Sequence, residues 1–296
     1  MDGAALEITP SRESSVGNHP VRRALPRRER RTVGAWCFAD HMGPSAYGED
    51  DPIGIGPHPH IGLQTVTWLV AGEMLHRDNL GTEQTIAPGQ LNLMTAGRGV
   101  SHAEEGIHPR GDLHGIQLWV AQPERTRHGD AAFEHHAELP RLELPNASAT
   151  VLVGSMGDVT SPARRDTDHF GAEILLRNGT TVVPVDDRHE HALVVLSGAI
   201  ELDAQPIRPG LLGYVPVGRS ELPMVAVEPT RLMLLGGEPF ESRITMWWNY
   251  VARDRDEIDQ ANLDWASGHD RYGDTGSSWT RIPAPTPPWS SSTGTR

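Results

Sequence analysis

Four short words of sequence occur twice along the chain in the same order, and this repeat limits the possible folds more than any other feature. The offset between the copies falls from 131 to 121 residues, as expected for two copies of one unit whose second copy has shorter loops. Chance matching of short apolar words is the alternative, but the conserved order makes it the poorer account. The repeat predicts two similar domains at about residues 30–130 and 140–240. The matching words are HPH (58–60) with HEH (189–191), VAGE (70–73) with LSGA (196–199), IAPG (86–89) with IRPG (207–210), and AGR (96–98) with VGR (217–219).

The repeated words lie among short runs that have the composition of β-strands. Residues 61–71 (IGLQTVTWLVA) are rich in β-branched and aromatic residues and stop at Gly72, and shorter runs precede Pro-Gly and Gly turns. The 31 glycines and 24 prolines leave little room for long helices. We therefore predict an all-β fold that consists of two sandwiches or barrels.

Only the two ends of the chain differ from this pattern. Residues 251–266 have the periodicity of a helix that docks on a domain, and Gly268 is positioned to end it. The predicted apolar face consists of Val251, Ile258, Ala261 and Trp265. Residues 281–289 are Pro-rich and are expected to be extended, residues 290–296 are expected to be disordered, and the polar residues 1–20 are expected to be flexible.

Charge and cysteine content exclude several classes of protein. A formal net charge of −13 argues against nucleic acid or an anionic membrane as a partner. No run of 18 apolar residues is present, and the N-terminus lacks the apolar segment of a signal peptide. The single cysteine, Cys37, lies in an apolar word and is expected to be a buried, inert thiol, so we expect neither a disulfide nor a multi-thiolate metal site. These features predict a cytoplasmic protein.

Two pairs of side chains at i, i+2 spacing have the chemistry of a metal site. Successive strand residues point to opposite faces, so His58 and His60 share one face, and so do His102 and Glu104. Two such strands can bring three imidazoles and one carboxylate to one point. This donor set suits a mononuclear divalent ion, and iron, manganese, nickel, copper and zinc are all admissible. The alternative is that these are ordinary surface or core histidines.

Four long words resemble the pirin family, within the cupin superfamily. They are residues 22–44 (RRALPRRERRTVGAWCFADHMGP), 56–69 (GPHPHIGLQTVTWL), 94–105 (MTAGRGVSHAEE) and 246–265 (MWWNYVARDRDEIDQANLDW). The resemblance implies two cupin barrels, of the double-stranded β-helix or jelly-roll type, in one chain. It divides the chain into a flexible N-terminus (1–20), a metal-binding cupin domain (21–135), a C-terminal cupin domain expected to lack metal (136–245), a helix with a Pro-rich tail (246–289) and a disordered end (290–296).

The resemblance also implies one Fe²⁺ per chain, with Mn, Ni, Cu or Zn as alternatives. Its ligands would be His58, His60, His102 and Glu104, the same set that the strand geometry selects. Gln64 stands where better-known pirins have Glu, and we expect it to lie next to the ligands and to tune the metal. His76 also falls in a family-like word, and it is expected either to lie next to the ligands or to face solvent.

The second copy of the repeat holds only part of such a site. At the 121-residue offset, Pro223 and Val225 occupy the positions of the third and fourth ligands. His189, His191 and Glu221 are the residues available for a weak second metal site, but we expect the C-terminal barrel to be scaffold because such a set lacks defined geometry.

Two functions follow from the resemblance. The first is a dioxygenase of the quercetin 2,3-dioxygenase type, acting on a small aromatic, enolic substrate with dioxygen, in which Glu104 serves as ligand and as catalytic base. The second is a non-enzymatic, redox-sensitive iron protein that regulates transcription or metabolism by binding a protein partner. Both predict the same metal ligands.

Overall fold

The computed structural model describes residues 5–17 and 19–290, and more than half of them lie in β-strands. The strands of the first half are β1 (Glu7–Pro10), β2 (Arg12–Val16), β3 (His19–Leu25), β4 (Trp36–Tyr47), β5 (Gly54–His60), β6 (Leu63–Ala71), β7 (Met74–Asp78), β8 (Glu83–Ile86), β9 (Leu91–Thr95), β10 (Val100–Gly106), β11 (Gly111–Ala121) and β12 (Ala132–His136).

The second half continues the same pattern and ends in a helix. Its strands are β13 (Arg141–Leu144), β14 (Ala147–Val153), β15 (Ser155–Met156), β16 (Val159–Thr160), β17 (His169–Leu176), β18 (Gly179–Pro184), β19 (Glu190–Ser197), β20 (Ile200–Leu202), β21 (Gln205–Ile207), β22 (Leu211–Val215), β23 (Glu221–Ala226), β24 (Thr230–Gly237), β25 (Thr245–Trp247) and β26 (Tyr250–Ala252). Helix α1 (Arg255–Ser267) and a 3₁₀ turn (Asp270–Tyr272) follow.

The strands form two barrels with the same layout. In the N-terminal barrel a seven-stranded sheet, β12-β9-β6-β11-β4-β3-β2, faces a four-stranded sheet, β5-β10-β7-β8. In the C-terminal barrel the sheets are β1-β22-β19-β24-β17-β14-β13 and β18-β23-β20-β21. The strands β5 to β11 thus recur in order as β18 to β24. The predicted all-β fold with two cupin-type barrels is confirmed.

Strand register shows that one pair of repeated words was wrongly matched. Thr65 pairs with Met94 in the first barrel, and His191 pairs with Val215 in the second. Met94 and Val215 occupy the same place in the 121-residue repeat, so the counterpart of His191 is Thr65 and not His60. The word at 189–191 is therefore no second copy of the word at 58–60, although the other three matches keep their strand positions.

The two barrels pack against each other through their larger sheets. Trp36 and Trp68 are fully buried in a core that includes residues of both barrels, such as Val194 and Leu235. Each indole also donates a hydrogen bond across the interface, Trp36 Nε1 to the carbonyl of Phe170 (3.0 Å) and Trp68 Nε1 to the Glu173 carboxylate (3.0 Å). Along each strand of the large sheets, every second side chain faces this interface and the others face the interior of the barrel. The large sheets are therefore buried on both sides.

The N-terminus completes the opposite barrel. Strand β1 pairs with β22, and Leu6 is buried in the core of the C-terminal barrel, whereas β2 belongs to the N-terminal barrel. The expectation that residues 1–20 are flexible is therefore wrong for the described residues of that segment. The polar composition was misleading because these strands lie at sheet edges, where half of their side chains face solvent.

The C-terminal segment packs on the N-terminal barrel. Helix α1 begins after Asp254, whose side chain accepts from the Glu257 amide, and ends at Gly268, which has a φ of 73°. The helix starts later than predicted because Val251 lies in β26, but the other predicted face residues, Ile258, Ala261 and Trp265, are buried as expected. No described helix is long and apolar enough to cross a membrane. Of the end expected to be disordered, only Ser290 lies within the described residues, and it donates to Asp259.

Candidate metal centre

A β-bulge shapes the strand that carries the first two histidines. On β10 the interval from His102 to Glu104 is two residues, whereas the facing interval on β5, from Ile55 to His58, is three. The extra residue lies near Gly56 and turns its carbonyl toward the His58 ring, so that His58 Nδ1 lies 2.9 Å from the Gly56 oxygen.

Backbone carbonyls fix the tautomers of both histidines on β5. A carbonyl only accepts, so His58 Nδ1 donates to Gly56 and His60 Nδ1 donates to the carbonyl of Asn249, also at 2.9 Å. In each neutral ring the lone pair is then on Nε2. Burial lowers the pKa of His58 to about 4 and that of His60 well below its usual value, so both rings are neutral at pH 7.

A hydrogen-bonded chain fixes the third imidazole in the same way. The Asp78 carboxylate accepts from His76 Nε2 (3.0 Å), and in a neutral His76 ring Nδ1 is then an acceptor. That atom lies 3.3 Å from His102 Nδ1, which donates to it in this state of His76. Burial would raise the pKa of Asp78, but hydrogen bonds from His76 and from Thr82 outweigh it and lower that pKa. When His76 is neutral, this chain places the lone pair of His102 on Nε2.

His60 Nε2 and His102 Nε2 are 3.1 Å apart. With His76 neutral, each of these two rings has its proton on Nδ1, and two nitrogen lone pairs face each other. Such an arrangement is repulsive unless a cation lies beside both atoms. The three rings also lie close together, with centroids 4.4 to 5.0 Å apart. The donor set therefore fits a divalent metal ion held by His58, His60 and His102.

Glu104 lies beside this triad without joining it. Among residues 5–17 and 19–290, two groups of three ligand-type side chains have donor atoms within 4.8 Å of one another. They are His58, His60 and His102, and His76, His102 and Glu104. Glu104 Oε1 accepts from the Thr67 hydroxyl (3.0 Å). Burial raises the pKa of Glu104, and His76 and Thr67 oppose this shift. The predicted role of Glu104 as fourth ligand thus needs a rotation of its side chain and stays a prediction.

The two residues predicted to neighbour the ligands have different surroundings. His76 contacts His102 and stacks on Phe133 at a centroid distance of 4.4 Å, as expected for a residue that orients a ligand. Gln64 does not point to the centre. It is three residues before Thr67 on β6 and so lies on the opposite face of the strand, which packs against the other barrel. Its side chain donates to the Thr95 hydroxyl (3.0 Å). The expectation that Gln64 tunes the metal is contradicted, because the strand pleat turns it away.

The second predicted metal site is not assembled. The His189 and His191 rings are 6.3 Å apart, and all four ring nitrogens are buried without a hydrogen-bond partner. Glu221 lies at the exposed start of β23 and pairs with Pro184. Within the described residues these three do not form a group of metal donors.

Several residues that shape the centre were not predicted. Asn249 lies outside the repeated words. It contacts His60 through its backbone carbonyl, and such a contact has no pattern in the amino-acid sequence. Trp119 packs edge-on against His60 at a centroid distance of 5.2 Å. Asp78 had a detectable signal, because His76 and Asp78 have the same i, i+2 spacing as the ligand pairs. A narrow cavity of about 40 Å³ adjoins Glu104.

Comparison with known proteins agrees with this geometry. The Pirin family model matches residues 18–120, and the model of the Pirin C-terminal cupin domain matches residues 172–271. A Pseudomonas aeruginosa protein provisionally named quercetin 2,3-dioxygenase is 39% identical over 96% of this chain and 91% of its own. A pirin-like protein of Caulobacter vibrioides is 35% identical over 89% of this chain and 94% of its own.

Solved structures show the same relationship. The crystal structure of a quercetin 2,3-dioxygenase from Acinetobacter baumannii matches with a TM-score of 0.92 and 37% identity, covering 96% of each chain. The Escherichia coli pirin YhhW in complex with nickel(II) shares the fold at a TM-score of 0.63 and 15% identity, over 79% of this chain and all of that one. Matched family models in both halves, and a relative 39% identical along nearly the whole length, establish that the chain belongs to the pirin family.

Proposed function

We propose that this pirin is an iron-dependent dioxygenase that cleaves a flavonol-like substrate. The observation that carries the proposal is the buried group of His58, His60 and His102, whose donor atoms lie within 4.8 Å of one another. The similarity to the Acinetobacter structure named as a quercetin 2,3-dioxygenase supports the choice of reaction. His58, His60 and His102 would hold the metal, and Glu104 would complete the set. When bound, the metal would supply a positive charge for the substrate enolate and a redox partner for dioxygen.

Glu104 would act as the base for the substrate hydroxyl. Its Oε1 is engaged by Thr67, and the second carboxylate oxygen is available to take a proton. Because burial raises its pKa toward neutrality, a proton that it accepts is bound more firmly than by an ordinary Glu. In this structure the Thr67 hydroxyl donates to the carboxylate.

The surrounding barrel would control access of the substrate. The 40 Å³ cavity beside Glu104 is lined by apolar side chains such as Val21, Ile55 and Leu113. Sites for small organic molecules measure about 300 Å³ or more. Binding of a flavonol from this side therefore requires the walls to move apart.

Metal content and turnover test the proposal separately. Protein purified without a histidine tag is expected to contain about one metal ion per chain by elemental analysis, and Glu104→Ala to contain much less. After anaerobic loading with Fe²⁺, the wild type is expected to bleach quercetin in air and to release carbon monoxide. His108→Ala is the matched control, since His108 is an exposed histidine paired with Glu73. Iron-loaded protein that leaves quercetin unchanged would refute the reaction, and full metal content in Glu104→Ala would refute its role as a ligand.

A further inference from the structure

A second cavity, far larger than the one beside Glu104, opens where the C-terminal barrel is joined to the C-terminal segment. It measures about 750 Å³, which is within the range of sites for small organic molecules. Three arginines from separate parts of the chain line it, namely Arg31, Arg243 and Arg255. We call it the arginine cleft.

The arginines of this cleft lack carboxylate partners. Within the described part of the chain, no ion pair involves Arg31, Arg243 or Arg255, although twenty-two ion pairs occur elsewhere. The Arg255 guanidinium lies over the Trp289 ring at 5.2 Å, and all three residues are exposed. In a chain whose acidic residues outnumber its basic residues, 39 to 26, a cavity lined by three arginines has a charge opposite to that of the whole protein.

The remaining lining leaves the cleft with an excess of positive charge. Glu241 is its one acidic lining residue, and its carboxylate already accepts from the Glu124 amide (2.8 Å). The Thr245 hydroxyl is also engaged, because it donates to the carbonyl of Arg253 (3.1 Å). Phe240, Ile244 and Met246 supply an apolar part of the wall. The cleft lining therefore combines three arginines and one glutamate with a hydrophobic side.

We propose that the arginine cleft binds a small organic phosphate. One guanidinium suffices to pair with a planar carboxylate, whereas a phosphate group has three terminal oxygens and carries up to two charges, so it can use several guanidinium groups at once. The volume exceeds that of a phosphate group alone, and the apolar wall suits the organic part of a phosphate ester. This binding site does not depend on the proposed dioxygenase reaction.

The position of the cleft also links it to the metal centre. Ile244 and Met246 pack against a core that contains Trp119, which in turn contacts His60. The same segment continues to Asn249, whose carbonyl holds His60 Nδ1. A bound phosphate would thus stiffen the stretch of chain that orients a metal ligand.

Calorimetry on the full-length protein tests the site, with AMP, inorganic phosphate and citrate as probes in a phosphate-free buffer. AMP is expected to bind at one site per chain and more tightly than the other two. Arg31→Gln and Arg243→Gln are each expected to weaken AMP binding about tenfold, since each removes a charge-assisted hydrogen bond. Circular dichroism confirms that the variants remain folded.

Arg177→Gln is the matched control, because it removes the same charge from an exposed arginine. Arg177 follows β17 at the end where Leu176 pairs with Thr230, whereas the cleft lies beyond the opposite end of β24. Its AMP affinity is expected to equal that of the wild type. No AMP binding at millimolar concentration, or equal weakening in the control, would overturn the proposal. Citrate or inorganic phosphate binding as tightly as AMP would overturn the assignment to an organic phosphate.

Discussion

His60 Nδ1 donates to the backbone carbonyl of Asn249, a residue 189 positions later in the chain. The N-terminal barrel therefore does not orient its own candidate metal ligand unaided. Ile61 and Tyr250 form a parallel bridge next to this contact, and the Val251 amide donates to the Ile61 carbonyl (3.1 Å). Docking of the C-terminal segment and geometry of the metal centre are thus coupled.

Trp265 tests this coupling. It is buried in the cluster that fixes helix α1, and its indole donates to the carbonyl of Ile282 (2.9 Å). Trp265→Ala is expected to lower the free energy of unfolding by about 3–5 kcal/mol and to weaken metal binding. Urea unfolding and chelator competition would measure the two effects. Leu263→Ala, an exposed residue of the same helix, should change neither. Unaltered metal affinity in a folded Trp265→Ala protein would contradict the coupling.

Asp78 is expected to act on the metal through His76 and His102. Asp78→Asn removes the charge that keeps His76 Nε2 protonated, so His102 can adopt the wrong tautomer. Loss of such an outer partner costs about 10- to 100-fold in metal affinity. Chelator competition with Co²⁺ as the reporter ion gives the affinity, and its visible spectrum reports the ligand geometry. Glu83→Gln on the adjacent β8 is the control, as Glu83 is exposed. Equal affinities for both variants would exclude the chain of hydrogen bonds as a positioning device.

Gln64 distinguishes the two sides of β6. Gln64→Glu restores the residue of better-known pirins, but here it buries a carboxyl group against the other barrel. The variant is expected to lose roughly 2 kcal/mol of stability at pH 7 and to keep its metal content, because the side chain faces away from the ligands. Thermal unfolding and elemental analysis check this, with Gln205→Glu as an exposed control. A changed metal content with unchanged stability would reverse the assignment.

Acid is expected to destabilise the metal-free protein before it reaches the pKa of His58. The folded-state pKa is about 4 against 6.5 in the unfolded chain, so only the unfolded state gains a proton as the pH falls between these values. Stability is therefore full above pH 6.5 and is lost toward pH 4. At pH 5 this residue alone accounts for about 2 kcal/mol. Urea unfolding at pH 7 and pH 5 should show a smaller difference for His58→Gln than for wild type or for His108→Gln. Identical differences would be incompatible with a buried neutral His58.

Much of this structure is predictable because it depends on local spacing. The i, i+2 pairs at His58 and His102 place side chains on one strand face, and short runs between Pro-Gly turns specify strands. The predictions that fail depend on strand register or on contacts with residues far away in the sequence. The pairing of His191 with Val215 shows that the words at 58–60 and 189–191 are not equivalent. The alternation of side chains along a strand, which predicts the common face of His58 and His60, also turns Gln64 away from the centre. Backbone groups such as the Asn249 carbonyl carry no signature in the side-chain sequence.

Each end of the chain completes the barrel formed by the opposite half, and this arrangement limits which changes of the sequence the fold can accept. Strand β1 completes the C-terminal barrel, while the segment after Ile244 completes the N-terminal one. A gene shortened to either half would encode a barrel with an unpaired edge or an unsupported ligand. Removal of either copy as a whole is therefore expected to destabilise the copy that remains, whereas point substitutions in the C-terminal barrel leave both sheet edges paired.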